Sequence, residues 1–209
     1  NDLGRFGLGM KTASFSQCRR LTVVSVIENI KSGTQWDLDR IAKTDEWNLS
    51  VLDSSEIKKL YQIENLGENG TLILWENCDR IIDTTSEGME VYYEKLRSLE
   101  GHLKLVFHRF FVNKKIKVRI NNNEPLKYFD PFARHYDATQ PLPAESVLID
   151  KKIVKIQGYV LPHHSKITAE QYNENAGEGG YLRNQGFYVY RGKRLITHGT
   201  WFRMKPKSE

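Results

Sequence analysis

The chain has 209 residues, 39% of them apolar and 27% charged, with a formal net charge of +5. That composition fits an ordinary globular protein, long enough for one large domain or two small ones. No apolar run approaches the roughly 18 to 20 residues of a membrane-spanning helix, which excludes a helical membrane protein, and no signal peptide is visible. The charge is uneven: residues 1–100 hold 12 Lys/Arg against 17 Asp/Glu, and residues 101–209 hold 19 against 9. The second half is therefore suited to phosphate groups or acidic surfaces, or presents a solvated lysine-rich face. Cys18 and Cys78 lie far apart without C-x-x-C spacing, and read as two free thiols in a reducing cytoplasm.

The first thirteen residues carry three glycines, Gly4, Gly7 and Gly9, directly before a segment that reads as helix over 10–17. Glycines let an anion approach the backbone, and a helix start offers it unpaired N–H groups and a positive dipole end. Lys11 and Thr12 add a charge and a hydroxyl. The alternative is a glycine-rich surface turn. A P-loop is excluded because Met10 separates Gly9 from Lys11. A Rossmann fingerprint is excluded because Thr12 stands where the third glycine belongs and no strand precedes it.

Residues 19–29 are β-branched and predict a strand, 31–33 a turn, and 33–41 a second strand with Trp36 and Leu38 on one side. Residues 47–52 read as a short strand and 56–61 as one or two turns of helix. Residues 67–70 form a turn, and 71–75 a continuous apolar strand inside the sheet. Met89, Tyr93, Leu96, Leu99, Leu103, Phe107 and Phe110 recur at helical spacing, predicting one helix over about 86–111 with a single buried stripe and a capping box at Thr84 and Glu87. His102 and His108 on it read as partly buried surface residues rather than ligands.

Beyond it the texture changes to hairpins. The spacing pairs 115–120 with 126–129 about Asn121–Asn123, and 147–149 with 153–161 about Asp150–Lys152. A short helix over 167–175 follows, then a hairpin of 187–190 with 193–196. Trp201, Phe202, Tyr188 and Tyr190 with Arg191, Lys193, Arg194 and Arg203 form a basic-aromatic cluster, open to stacking on single strands or to core packing. His163-His164 lacks a third metal ligand. Glu28, Asp37 and Asp39 could meet on the first hairpin but read as a solvated face rather than a general base.

The stretch from Gly4 to Ala13 (GRFGLGMKTA) resembles the second glycine box of the GHKL ATPases, the superfamily of gyrase, the ninety-kilodalton heat-shock chaperone, histidine kinases and MutL, with the MORC proteins as relatives. Asn69 to Trp75 (NGTLILW) resembles the family's "G-T" strand, and Gly186 to Ile196 resembles a hairpin of MORC-like members. The resemblance implies that Gly4, Arg5, Phe6, Gly7, Leu8, Gly9 and Met10 line the phosphates of ATP, that Lys11 neutralises them, and that Thr71 lies near adenine. It implies magnesium as well. The family's earlier motifs, a helix with the base glutamate and magnesium-binding asparagine and then D-x-G-x-G, are not found. The chain thus looks like a fragment with no catalytic residue of its own, hydrolysis belonging to the intact parent. The family's transducer lysine is also expected to be missing, Lys205 and Lys207 falling short of its place.

The expected fold is α+β: the C-terminal half of a GHKL (Bergerat) α/β sandwich over residues 1–112, then a ribosomal-protein-like transducer domain over 113–209, incomplete at its C-terminus. The implied function is an ATP-driven conformational switch in the cytoplasm, with ATP-dependent homodimerisation as a further implication. The rival is a nucleic-acid-binding module built on the basic second half, the glycine loop being only structural.

Overall fold

The computed structural model describes residues 9–81, 88–112, 116–177 and 179–204. The glycine-box residues Gly4, Arg5, Phe6, Gly7 and Leu8, the expected cap at Thr84 and Glu87, and Lys205 and Lys207 lie outside the described residues. Helices and strands mix along the chain, an α+β arrangement. No helix among the described residues is long and apolar enough to cross a membrane. The chain divides into two compact units, Asn1–Glu94 and Lys95–Glu209.

The first unit opens with helix α1 (Gly9–Phe15) and a sheet of β1 (Arg20–Ile27), β2 (Ile30–Asp37), β3 (Ser50–Leu52) and β4 (Gly70–Glu76). The strands stand in the order β3-β2-β1-β4. Helix α2 (Leu38–Thr44) follows β2, and α3 (Ser54–Lys58) and a 3-10 turn (Ile63–Asn65) follow β3. One sheet face carries Val24, which packs with Ile57 and Ile63 and is ringed by Leu52, Leu60, Leu66 and Leu72. Removing this apolar surface from water is the main stabilisation of the unit.

Three expectations need correction here. The turn of the first hairpin is Glu28–Asn29, both at positive φ, rather than 31–33. A two-residue turn of that hand matches the strand twist, and Gly33 serves packing instead: a Cβ there would meet Ile57 Cγ1 at 3.0 Å. The second strand ends at Asp37 because its carboxylate accepts from the amides of Asp39 and Arg40, capping α2 where strand was expected to continue. Finally, β4 stands at the edge of the sheet and not inside it.

The expected long helix is two helices, α4 (Gly88–Val106) and α5 (His108–Phe111), broken at Phe107. Its stripe is not buried throughout: Met89, Tyr93 and Leu99 are exposed, while Val106, His108 and Phe111 are buried. Within the second unit the Phe129 amide donates to the Lys104 carbonyl of α4. The division at 94/95 thus runs through α4, ahead of the 112/113 boundary expected.

Among its described residues the second unit holds three two-stranded ribbons: β5 (Gln140–Pro141) with β8 (Tyr159–Val160), β6 (Glu145–Ile149) with β7 (Lys152–Ile156), and β9 (Phe187–Arg191) with β10 (Arg194–Thr200). Helices α6 (Ala169–Ala176) and α7 (Gly180–Arg183) lie between. The hairpin expected about Asn121–Asn123 leaves no regular strand over 116–129, though the Asn123 amide donates to the Ile120 carbonyl and the Leu126 amide to the Val118 carbonyl. By contrast β6 and β7 join through Asp150 and Lys151, both at positive φ. That turn fixes their register even though the ribbon is exposed. Gly186 sits at φ +125, where a Cβ would meet the Thr200 carbonyl at 2.7 Å, so the glycine heading the last hairpin has a steric reason.

Candidate functional site

The other face of the first unit's sheet carries Thr71 and lies beneath α1, which begins with Gly9, Met10 and Lys11. Its register places Trp36, Leu21 and Trp75 in one rung, and Ser32, Ser25 and Thr71 in another. Over the first rung lies α1. The Trp75 indole N–H donates to the buried Ser14 hydroxyl at 3.0 Å, and the Lys11 ammonium stands 4.7 Å from the Trp36 ring centroid, a cation–π contact. Leu21 is fully buried between the two tryptophans. The second rung is different: Ser25, Ser32 and Thr71 are all exposed, three hydroxyls in a row across three strands.

Among the sequence-derived residues, Gly9, Met10 and Lys11 form the first turn of α1. Thr71 shares their sheet face, four residues along β4 from Trp75, or about 13 Å at the usual strand rise. The structure thus sets them over one face without bringing them into contact. At Gly9 a Cβ would meet nothing within 4 Å, so protein packing does not require a glycine there. The two tryptophans and Ser14, which seat α1, were missed in the sequence, although the alternation of Trp36 and Trp75 along their strands was the signal.

Charge gathers at the end of the sheet where α1 and β4 terminate. Arg19 pairs with Asp39 at 2.5 Å and with Asp79 at 3.7 Å, and Arg20 with Asp37 at 2.8 Å and Glu76 at 3.8 Å. The hydrogen bond from Arg19 holds the Asp39 carboxyl below its usual range. Burial pushes Asp37 up, but the Arg20 guanidinium and the amides of Arg40 and Asp39 outweigh it and hold the carboxyl low. Both carboxylates are therefore engaged by arginines at the sheet end. Glu28, the third carboxylate considered, sits in the hairpin turn at the opposite end.

Residues 1–71 match the family of histidine kinase-, DNA gyrase B- and HSP90-like ATPases. The ATPase-like segment therefore takes in the glycine box, α1, the β1–β2 hairpin, α2, β3 and α3, and ends at Thr71. No curated protein and no solved structure matches the chain.

The second unit offers different chemistry. His108 is fully buried, its Nε2 2.8 Å from the Tyr190 hydroxyl, with the Arg109 guanidinium 3.4 Å from the Tyr190 ring centroid. Phe132 stacks on Tyr159 and meets Tyr188 edge-on. Tyr188 and Tyr190 of the basic-aromatic cluster are therefore half-buried and packed on Phe132 and His108, whereas Trp201 and Phe202 are exposed and pack on Phe187. His102 is exposed, so the two histidines of the expected long helix have opposite environments. A cavity of about 500 Å³ is lined by His102, Lys104, Arg183 and His198 among others, with no carboxylate in its described lining. Lys104 is paired with Glu100 at 2.5 Å. Groups of three potential metal-ligating side chains are absent among the described residues.

Proposed function

We propose that the protein is an ATP-binding conformational switch of the ATPase type, with the phosphates held at the glycine box and the adenine side near Thr71. The observation that carries this reading is the match of residues 1–71 to an ATPase family, with the glycine box and the G-T strand at its two ends. The chemistry of α1 agrees: its start presents backbone amides beside Lys11, and Gly9 leaves its Cβ position open. Phosphate would compete with the Trp36 ring for the Lys11 ammonium. The row of Ser25, Ser32 and Thr71 hydroxyls suits an ordered water or a polar base edge.

Among the described residues no group of three acidic, histidine or cysteine side chains stands ready to hold magnesium. The carboxylates at the end of α1 are held in ion pairs by Arg19 and Arg20, and the base of hydrolysis is assigned to the intact parent. The MORC-like or MutL-like subtype, the transducer role of the second unit and ATP-dependent dimerisation belong to the same proposal and rest on the motif resemblances. Isothermal titration of the protein with Mg–ATP tests it. Gly7→Val should abolish binding by closing the loop to the phosphates, and Thr71→Ala should weaken it about tenfold or more. Unchanged affinity in Gly7→Val rejects the loop assignment.

A second reading, nucleic-acid binding by the second unit, is favoured by one observation. Lys95–Glu209 carries 21 Lys/Arg against 10 Asp/Glu. The two readings are compatible.

A further inference from the structure

Two segments of the first unit run side by side where α1 and β4 end. The Trp75 indole donates to Ser14, Arg20 pairs with Glu76, the Arg19 amide donates to the Asn77 carbonyl at 3.1 Å, and Arg19 reaches Asp79. The Arg80 guanidinium closes the series by donating to the Phe15 carbonyl at 2.9 Å. Cys18 and Cys78 sit in the middle of these two bonded segments. The backbone bond from Arg19 to Asn77 joins the residues beside both cysteines, which brings their backbones near the roughly 4.4–6.8 Å between Cα atoms that a disulfide spans. Asn77, at φ 54, turns the chain out of the regular ladder just before Cys78, so strand alternation no longer dictates where that thiol points. Both thiols are free, Cys18 buried and Cys78 half-buried. Burial raises both thiols above their ordinary value, and the charge of Cys78 raises Cys18 further, a second sign that they are neighbours.

We propose that Cys18 and Cys78 are a reversible dithiol–disulfide pair that staples the exit of α1 to the exit of β4. The oxidant class is a low-molecular-weight disulfide such as oxidised glutathione. The more accessible Cys78 thiolate attacks one glutathione sulfur and releases a first glutathione thiolate. The Cys18 thiolate then attacks the Cys78 sulfur of the mixed disulfide and releases the second. One protein S–S bond forms, one glutathione S–S bond breaks, and the two thiol protons end on two reduced glutathiones. Glu76, Asp79, Arg19, Arg20 and Arg80 are the charged groups around the pair. Because both thiols are raised, the rate should climb about tenfold per pH unit from pH 7 to 8, as the thiolate fraction does.

The proposal is independent of nucleotide binding. It is tested by equilibrating the protein in glutathione buffers, alkylating the remaining thiols and mapping peptides without reduction. The expected result is a peptide linking Cys18 to Cys78, reversed by dithiothreitol, and a higher thermal midpoint for the oxidised chain because the bond closes a long loop. Cys18→Ser should stop at a mixed disulfide on Cys78, and Cys78→Ser should leave Cys18 reduced. The Cys78 variant, at the half-buried position, keeps the test valid if the buried Cys18 variant fails to fold. Two unreacted thiols in oxidised glutathione, or only mixed or intermolecular disulfides, would overturn the proposal.

Discussion

His108 is a helical residue that a periodicity argument places on a stripe without saying how deep. The structure buries it completely and leaves its Nδ1 without a hydrogen-bond partner among the described residues. Burial pushes the imidazole down to about 4, and Tyr190 beside it up to about 12. A histidine depressed in the folded state binds its proton more readily when unfolded. Its contribution to stability is therefore whole above the unfolded value of about 6.5 and is lost as pH falls from there to about 4. Urea unfolding followed across that window should show a loss of at most about 1.4 kcal/mol per pH unit from this one group. His108→Gln, which can still bond to the Tyr190 hydroxyl, should flatten that part of the profile; an unaltered slope would mean that other groups set it.

At the scale of elements, the hairpin and helix periods of the first unit could be read directly, and the ends could not. Strand β1 is legible because five of its eight residues are β-branched; α3, expected over 56–61, forms at Ser54–Lys58 because the Asp53 carboxylate accepts from the amides of Ser55 and Glu56 and starts the helix earlier. Strand β2 was read too long because Trp36 and Leu38 continue an alternation that Asp37 interrupts with a cap. Asp37 also pairs with Arg20, so Asp37→Ala removes two functions at once. It should cost at least the ~1 kcal/mol typical of a lost cap, seen as a lower urea midpoint, and Asp37→Asn should recover the cap but not the ion pair. In the second unit residues 116–120 and 126–129 form no regular strands, although their alternation predicts them.

The whole chain joins an acidic unit to a basic one, and that division affects binding more than folding. If the basic unit engages nucleic acid, fluorescence titration with a single-stranded oligonucleotide should show affinity falling steeply between 50 and 200 mM salt, by about a factor of ten or more for a few phosphate contacts. Mg–ATP affinity measured alongside should depend on salt far less. Loss of the first effect with retention of the second would leave only the ATPase-like reading.

The sequence by itself determined what depends on neighbours along the chain: the strand and helix periods, the turn at Asp150–Lys151, the charge split, and the glycine box that the ATPase family match overlaps; the last hairpin, expected to turn about Arg191–Gly192, turns at Gly192–Lys193 instead. Tertiary structure alone decided which face each element buries. It set Lys11 over Trp36 and Trp75 under Ser14, sent Tyr190 to His108 across more than eighty positions of sequence, and brought the segments bearing Cys18 and Cys78 side by side. Periodicity fixes direction within one element. Partners come only from the packing of apolar surface between elements, which no local pattern records.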